Sequence, residues 1–314
     1  MSKILLVDLP WRGKVYAGRA GMRWAHTSNK SPVISFRPFP FYIGCTAALL
    51  EQKGHEVIVV DALAEKLSDE DFFRRIEEFN PDFILAETHT PSYNNDKIYM
   101  KELKDNFPNI KLILAGPHAT ALPEQVLKET GSFVDFIISG EYEHLTLHVI
   151  DGKEKGPIVK LKESKEMNEI PWPARHLFKM NLYNEVFCRD FPNVQLMASR
   201  GCPFRCSYCN IYQMSGGRKH RTRNIDDVMA EIKQIVETYK PKEIYFDDDN
   251  IDATQNWLSA LMNAKIESGK KDRNLKIPFT CMGHVNIKPE LLDKMKEAGC
   301  VGIKLGIEST DNEV

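Results

Sequence analysis

Two hydrophobic patterns alternate through the first half of the chain. Short, unbroken apolar runs appear as KILLVDLP, HEVIVVDA, PDFILAETHT, NIKLILAGPHAT and VDFIISGEYE. Between them lie stretches with apolar residues at helical spacing, FYIGCTAALLEQKG, SDEDFFRRIEEFN, DKIYMKELKDNF and LPEQVLKETG. Unbroken β-branched runs bounded by turn residues are the signature of strands buried on both faces, and amphipathic intervals are crossover helices. The pattern predicts a doubly wound α/β domain over residues 1–150. Ser68 followed by acidic residues reads as a helix N-cap, and Gly54 closes the helix before HEVIVVDA. Ligands of such sheets sit beyond the carboxyl ends of the strands, so the loops after Leu9, Thr88, Gly116 and Gly140 are candidate binding loops.

Regular periodicity lapses over residues 151–192, where lysine, glutamate and Pro157, Pro171 and Pro173 dominate; the stretch reads as a linker. Alternation resumes over residues 193–314 with VQLMASRG, a helix from Ile225 to Tyr239, KEIYFDDDN, a helix near TQNWLSALMNAKIESG, IPFTCMGHVN, PELLDKMKEAG and GIKLGIEST. Four βα-type strands in this order predict a partial (β/α) barrel. The sequence stops at DNEV, where a fifth unit would begin, so it is expected to be a piece of a longer chain.

Composition narrows the classes. The 314 residues, 42% of them hydrophobic, are enough for two ordinary domains. Basic and acidic residues number 42 and 44, giving a net charge of -2 with no basic block, so nucleic acid is not an expected partner. No apolar run reaches the length of a membrane span and the first residues lack a signal-peptide pattern, which predicts a cytoplasmic protein without a membrane partner. Of the seven cysteines, Cys45, Cys188, Cys281 and Cys300 are scattered singly, unlike a secreted disulfide framework.

The other three, Cys202, Cys206 and Cys209, fall within eight positions of SRGCPFRCSYCNIY. Pro203, Arg205, Ser207 and Asn210 make this a polar loop, which argues against simple core cysteines. Structural zinc takes four ligands, and the local candidate for a fourth is His220. An iron-sulfur cluster held by three thiolates instead leaves one iron open for a substrate or cofactor.

CPFRCSYC, directly after an apolar strand and SRG, resembles the cluster loop of radical S-adenosylmethionine (SAM) enzymes, whose CxxxCxΦC motif carries an aromatic at the Tyr208 position. That resemblance implies a 4Fe-4S cluster on Cys202, Cys206 and Cys209, whose open iron is chelated by the amino and carboxylate groups of SAM. One-electron reduction then cleaves SAM to a 5'-deoxyadenosyl radical, which calls for an electron donor such as flavodoxin or ferredoxin. Asp248 first, and Asp247 or Asp249 second, match the family's acidic motif for the methionine amino group; a solvated acidic turn or a helix N-cap at Asp252 is the plainer reading. Glu308 and Ser309 resemble the ribose-binding position. Tyr208 and Met214 can stack the adenine or merely pack. His284 and Asn286 also lie at a strand end, as structural or as catalytic groups.

The order of domains resembles the cobalamin-binding subclass, in which a Rossmann-like B12 domain precedes the barrel. AGPHATALPEQVL and VDFIISGEYEHL look like its fourth and fifth strand ends, and IPWPARHLF like its interdomain segment. The implied cobalamin site takes in Leu9, Pro10, Trp11, Thr90, Ser92, Gly116, Pro117, His118, Gly140 and Glu141, with Gly116 and Gly140 letting backbone approach the ligand. The DxHxxG motif that offers histidine to cobalt is absent, and His26 has no matching Asp and Gly, so Leu9, Pro10 or Trp11 is expected to cover the lower face. The arginine- and aromatic-rich insertion after the first strand either lids the cobalamin, contacts an anionic substrate, or packs on the surface. The subclass implies methylation of an unactivated carbon or phosphorus centre of a small molecule. Radical cyclisation, as in the anaerobic cyclase of chlorophyll biosynthesis, is the alternative, and a non-catalytic B12 or nucleotide sensor with a zinc site is a third.

Overall fold

The structure, a computed structural model, describes residues 1–12, 17–20, 24–27 and 37–307. It divides into two compact units: Met1–Lys165 with Ile170–Tyr183 and Tyr208–Gly217, and Glu166–Glu169 with Asn184–Ser207 and Arg218–Val314.

The first unit runs β1 (Lys3–Asp8), β2 (Ala17–Ala20), β3 (Trp24–Thr27), α1 (Phe41–Gln52), β4 (Glu56–Asp61), α2 (Ala62–Glu65), α3 (Asp69–Phe79), β5 (Phe83–Glu87), α4 (Tyr93–Asn106), β6 (Lys111–Ala115), α5 (Pro117–Ala121), α6 (Pro123–Thr130), β7 (Phe136–Ser139), α7 (Glu143–Ile150) and β8 (Ile158–Lys160), with α8 (Ile211–Met214) from later in the chain. Six strands form a parallel sheet in the order β4-β1-β5-β6-β7-β8. The apolar runs of β1, β5 and β6 are its centre, with Leu5, Leu6, Ile84, Leu85, Leu112 and Ile113 fully buried. Each such side chain contributes about 1.5–3 kcal/mol relative to exposure. Helices pack by short apolar stripes: α3 buries Phe72 and Ile76, four residues apart. Its start is fixed by Ser68 Oγ accepting from Asp71 N at 3.1 Å, with Asp69, Glu70 and Asp71 in the first turn facing the helix dipole.

The stretch read as a linker is partly built into this unit. Ile158–Lys160 pairs parallel with β7 as the sixth strand. Further along, Phe178 and Tyr183 pack against Phe39 at ring distances of 4.8 and 5.5 Å, and Tyr183 Oη donates to Asp61 Oδ2 at 2.8 Å. These residues dock one by one, so no periodicity marks them.

The second unit contains β9 (Asn193–Leu196), β10 (Ser199–Arg200), β11 (Arg221–Thr222), α9 (Ile225–Tyr239), β12 (Glu243–Phe246), α10 (Gln255–Lys271), β13 (Phe279–Gly283), α11 (Pro289–Glu297) and β14 (Cys300–Leu305). Four strands lie parallel in the order β14-β13-β12-β9, each beside its predecessor in the chain. This singly wound order is that of a (β/α) barrel segment. On α9, Val228, Ile232 and Ile235 are fully buried, and Glu231 on the same side is buried as the partner of Arg223.

Candidate functional site

Parallel strands deliver their loops to one edge of a sheet, and in the first unit that edge carries the predicted binding residues. Leu9 is fully buried and Pro10 is buried. The strand's apolar run simply continues one residue into its loop. Trp11 is half-buried, with its indole Nε1 buried and lacking a hydrogen-bond partner among the described residues. The loop is fastened on both sides of Trp11. Asn95 Nδ2 donates to Pro10 O at 2.9 Å, and Arg12 N donates to Asn95 Oδ1 at 2.9 Å. The Arg12 guanidinium then bonds Asp69 at the start of α3 and Glu102 on α4 while lying 4.5 Å over the Tyr99 ring.

After β5, the buried Asp96 carboxylate accepts from Thr88 Oγ1 at 2.8 Å and Ser92 Oγ at 2.6 Å. Ser92 is thus committed to its own loop, while Thr90 is exposed and lies 3.1 Å from His118 Nδ1. His118 stacks on Tyr93 at 4.1 Å; burial lowers its pKa, and its Nε2 is buried without a partner among the described residues. Pro117 begins α5, and the Glu141 amide donates to Met214 O at 2.9 Å. Gly116 and Gly140 have φ of +105° and +108°. A Cβ on Gly116 would stand 2.7 Å from Thr88 O, and one on Gly140 2.5 Å from Leu161 Cβ. Both glycines therefore make a close approach to the chain's own atoms that a Cβ would block.

Ser199 and Arg200 form β10, and the cysteine loop follows from Gly201 as irregular backbone. Cys202 and Cys209 are half-buried, Cys206 is exposed, and none is in a disulfide. Among the described residues no three His, Cys, Asp or Glu side chains are grouped closely enough to hold a metal ion. His220, the local candidate for a fourth zinc ligand, has its Nδ1 2.9 Å from Thr254 Oγ1. Burial pushes His220 down to about 4, and its Nε2 is buried without a partner among the described residues.

The three aspartates after β12 divide the work. Asp248, the first choice for an ammonium, is fully buried and accepts from Ala198 N at 3.2 Å and Ser199 Oγ at 2.5 Å. Those bonds hold the stem of the cysteine loop. Asp249 is half-buried and accepts from Gly201 N at 2.7 Å; Asp247 is half-buried as well. Asp252 accepts from His284 N at 2.7 Å, and Asn286 N donates to His284 Nδ1 at 3.2 Å. Asn250 Oδ1 and Gln255 Oε1, at the same edge, are buried without partners among the described residues. Tyr208 is 68% exposed and Met214 is buried. Glu308 and Ser309 lie outside the described residues.

Asp252, read as a helix N-cap, is not the cap of α10, which is Thr254; sequence reasoning missed Asn95, Asp96 and Arg12. The first two had a signal: polar residues on the helical stripe that buries Tyr99, Met100 and Leu103.

A family model for the B12 binding domain matches residues 37–150, and one for the radical SAM superfamily matches residues 196–314. The uncharacterized methyltransferase PH0819 of Pyrococcus horikoshii is 30% identical over 295 residues, covering 88% of this chain and 62% of that protein. Cytidylyl-2-hydroxyethylphosphonate methyltransferase of Streptomyces wedmorensis is 26% identical over 335 residues, covering 86% and 61%. The chain thus spans about three fifths of the length of these curated relatives. Among solved structures, the radical SAM methyltransferase TsrM of Kitasatospora setae, with cobalamin and a 4Fe-4S cluster bound, matches with a TM-score of 0.70 at 16% identity, covering all of this chain and 62% of that one. The cobalamin-dependent SAM radical enzyme OxsB, with aqua-cobalamin and SAM bound, matches with a TM-score of 0.72 at 15% identity, covering 100% and 45%. A B12-binding domain followed by a radical SAM domain places this chain in the cobalamin-binding radical SAM family.

Proposed function

We propose that this chain forms the cofactor-binding part of a cobalamin-dependent radical SAM methyltransferase that methylates an unactivated carbon or phosphorus centre of a small molecule. The observation that carries the reading is the loop of three closely spaced thiols at the carboxyl end of a parallel sheet, in a chain that also matches a B12-binding domain. The relatives named as methyltransferases favour methyl transfer. A cyclase relative, 24% identical over 295 residues, keeps ring closure as the competing outcome. A one-electron donor such as flavodoxin or ferredoxin and a cytoplasmic setting complete the reading.

The donor set suits the cofactors. Three thiols without a disulfide, on irregular and largely exposed backbone, match a cluster ligated by three cysteines. Trp11 Nε1 and His118 Nε2, without partners among the described residues, lie in segments that follow β1 and β6, at the strand ends where sheets of this kind bind ligands. A buried polar atom left unsatisfied costs about 1–3 kcal/mol, which a bound ligand's polar groups would offset. When bound, the cluster supplies an electron to SAM and the cobalamin carries the methyl group. Cys202, Cys206 and Cys209 would hold the cluster as thiolates. Asp247 and Asp249 would accept the methionine ammonium, since Asp248 is occupied by backbone and Ser199. His118, kept neutral by burial, would offer a hydrogen-bonding nitrogen rather than a charge to the corrin side chains.

The test is anaerobic reconstitution with iron, sulfide and hydroxocobalamin, followed by metal analysis and incubation with methyl-labelled SAM. About four irons and one cobalt per chain are expected. Iron without cobalt would overturn the methyl-transfer mechanism, and zinc in place of both would overturn the enzyme reading. In a longer chain that includes the rest of the barrel, label retained in product separates methylation from cyclisation.

A further inference from the structure

We infer that His284 is a positioning residue for the cysteine loop, acting through the ring of Phe204; the link to a cluster rests on the radical SAM reading. The loop has little burial of its own, residues 203–208 being exposed. Its stem is held by Asp248 and by Asp249, whose bond to Gly201 N is the last before the first thiol. Beyond that point the loop is held at Phe204. The Phe204 carbonyl accepts from the Arg218 guanidinium, and its ring lies on the His284 imidazole at 4.2 Å with only 13° between the planes. Phe204 is two residues from Cys202 and two from Cys206, so this contact governs the span between those thiols.

The imidazole is itself held. Its residue follows directly on β13, its amide donates to the buried Asp252 carboxylate at 2.7 Å, and Nδ1 accepts from Asn286 N at 3.2 Å. That bond fixes the angle of the ring, which presents its flat face to Phe204. Gly283 makes room: a Cβ there would stand 3.2 Å from Asp252 Oδ1 and 2.9 Å from Ile287 Cδ1. A support thus runs from Asp252 through His284 to Phe204 and the loop. Phenylalanine at 284 would keep the stacking face and lose the Nδ1 acceptor that sets its angle; alanine would lose both.

Two readouts test this. In the cofactor-free chain, limited trypsin digestion after Arg205 reports how often the loop opens. In the reconstituted chain, iron release to a chelator reports how firmly the thiols are held. Aromatic pairs of this kind shift such an equilibrium by about two- to tenfold. Accordingly, His284→Ala speeds Arg205 cleavage and iron release by about that factor, and His284→Phe restores most of the difference. Phe204→Ala, which removes an exposed ring and leaves the sheet untouched, matches His284→Ala, and the double variant is no worse than either. Wild-type cleavage kinetics in both alanine variants, or additive effects in the double variant, would overturn the inference. Iron retention at the wild-type rate in His284→Ala would do the same. If the wild-type chain takes up no iron yet Arg205 cleavage follows the expected order, the cofactor reading fails and the positioning role stands.

Discussion

Replacing Gly116 with alanine tests whether the glycine serves the fold or a ligand. Gly116 has φ +105° and ψ -174°, a region that residues with a Cβ essentially do not enter. Forcing alanine there costs about 1–3 kcal/mol of backbone strain. The new Cβ would also meet Thr88 O at 2.7 Å, Glu87 Cγ at 2.8 Å and Thr88 N at 3.0 Å, two of them backbone atoms at the end of β5. Relieving that overlap by shifting β5 or β6 adds about 1–3 kcal/mol, as overpacking usually does. The sum, about 2–6 kcal/mol, is a large part of an ordinary domain's stability of about 5–15 kcal/mol. Because two units need not unfold together, the assay is hydrogen exchange of β5 and β6 amides by mass spectrometry in cofactor-free protein. Exchange governed by opening should accelerate at least thirtyfold, the factor that about 2 kcal/mol represents. Wild-type exchange rates combined with weakened cobalamin binding would refute the reasoning and return Gly116 to the ligand.

Other outcomes follow from contacts already described. Arg223→Met removes the cation from buried Glu231, with the two side chains 6% and 0% exposed, and should cost about 3–5 kcal/mol; adding Glu231→Leu should recover most of it in thermal denaturation. His220 takes up a proton near 6.5 when unfolded but only near 4 when folded, so its contribution is complete above about pH 6.5 and is lost as pH falls toward 4. His220→Gln should therefore reduce the loss of melting temperature between pH 7 and pH 5, by an amount equivalent to about 1–3 kcal/mol; an unchanged difference would contradict this. Asn95→Ala removes the donor to Pro10 O and the acceptor for Arg12 N, and should speed exchange of the Arg12 amide without altering that of β12.

Much of the fold was legible because buried parallel strands leave apolar runs and their helices leave stripes; Phe72 with Ile76, and Val228 with Ile232 and Ile235, are such stripes. β8 was not legible, since Ile158 and Val159 are too few to make a pattern and their pairing with β7 is a tertiary fact. The candidate site was legible by place more than by role. Three consecutive aspartates look alike in one dimension, yet Asp248 is turned to Ala198 and Ser199 while Asp247 and Asp249 stay half-buried. Likewise, a glycine at a strand end signals a close approach without naming the atom approached, which for Gly140 is Leu161 Cβ.

The clamp on Arg12 also bears on how this family can diversify. The chain leaves the sheet at a residue bonded to Asp69, Glu102 and Asn95, and re-enters at Phe39, which is buried among Phe41, Phe178 and Tyr183. With both ends tethered, the closure entropy of the intervening segment grows only with the logarithm of its length, about 0.6 kcal/mol for each doubling. Insertions and sequence changes between these two tethers therefore tax the domain lightly.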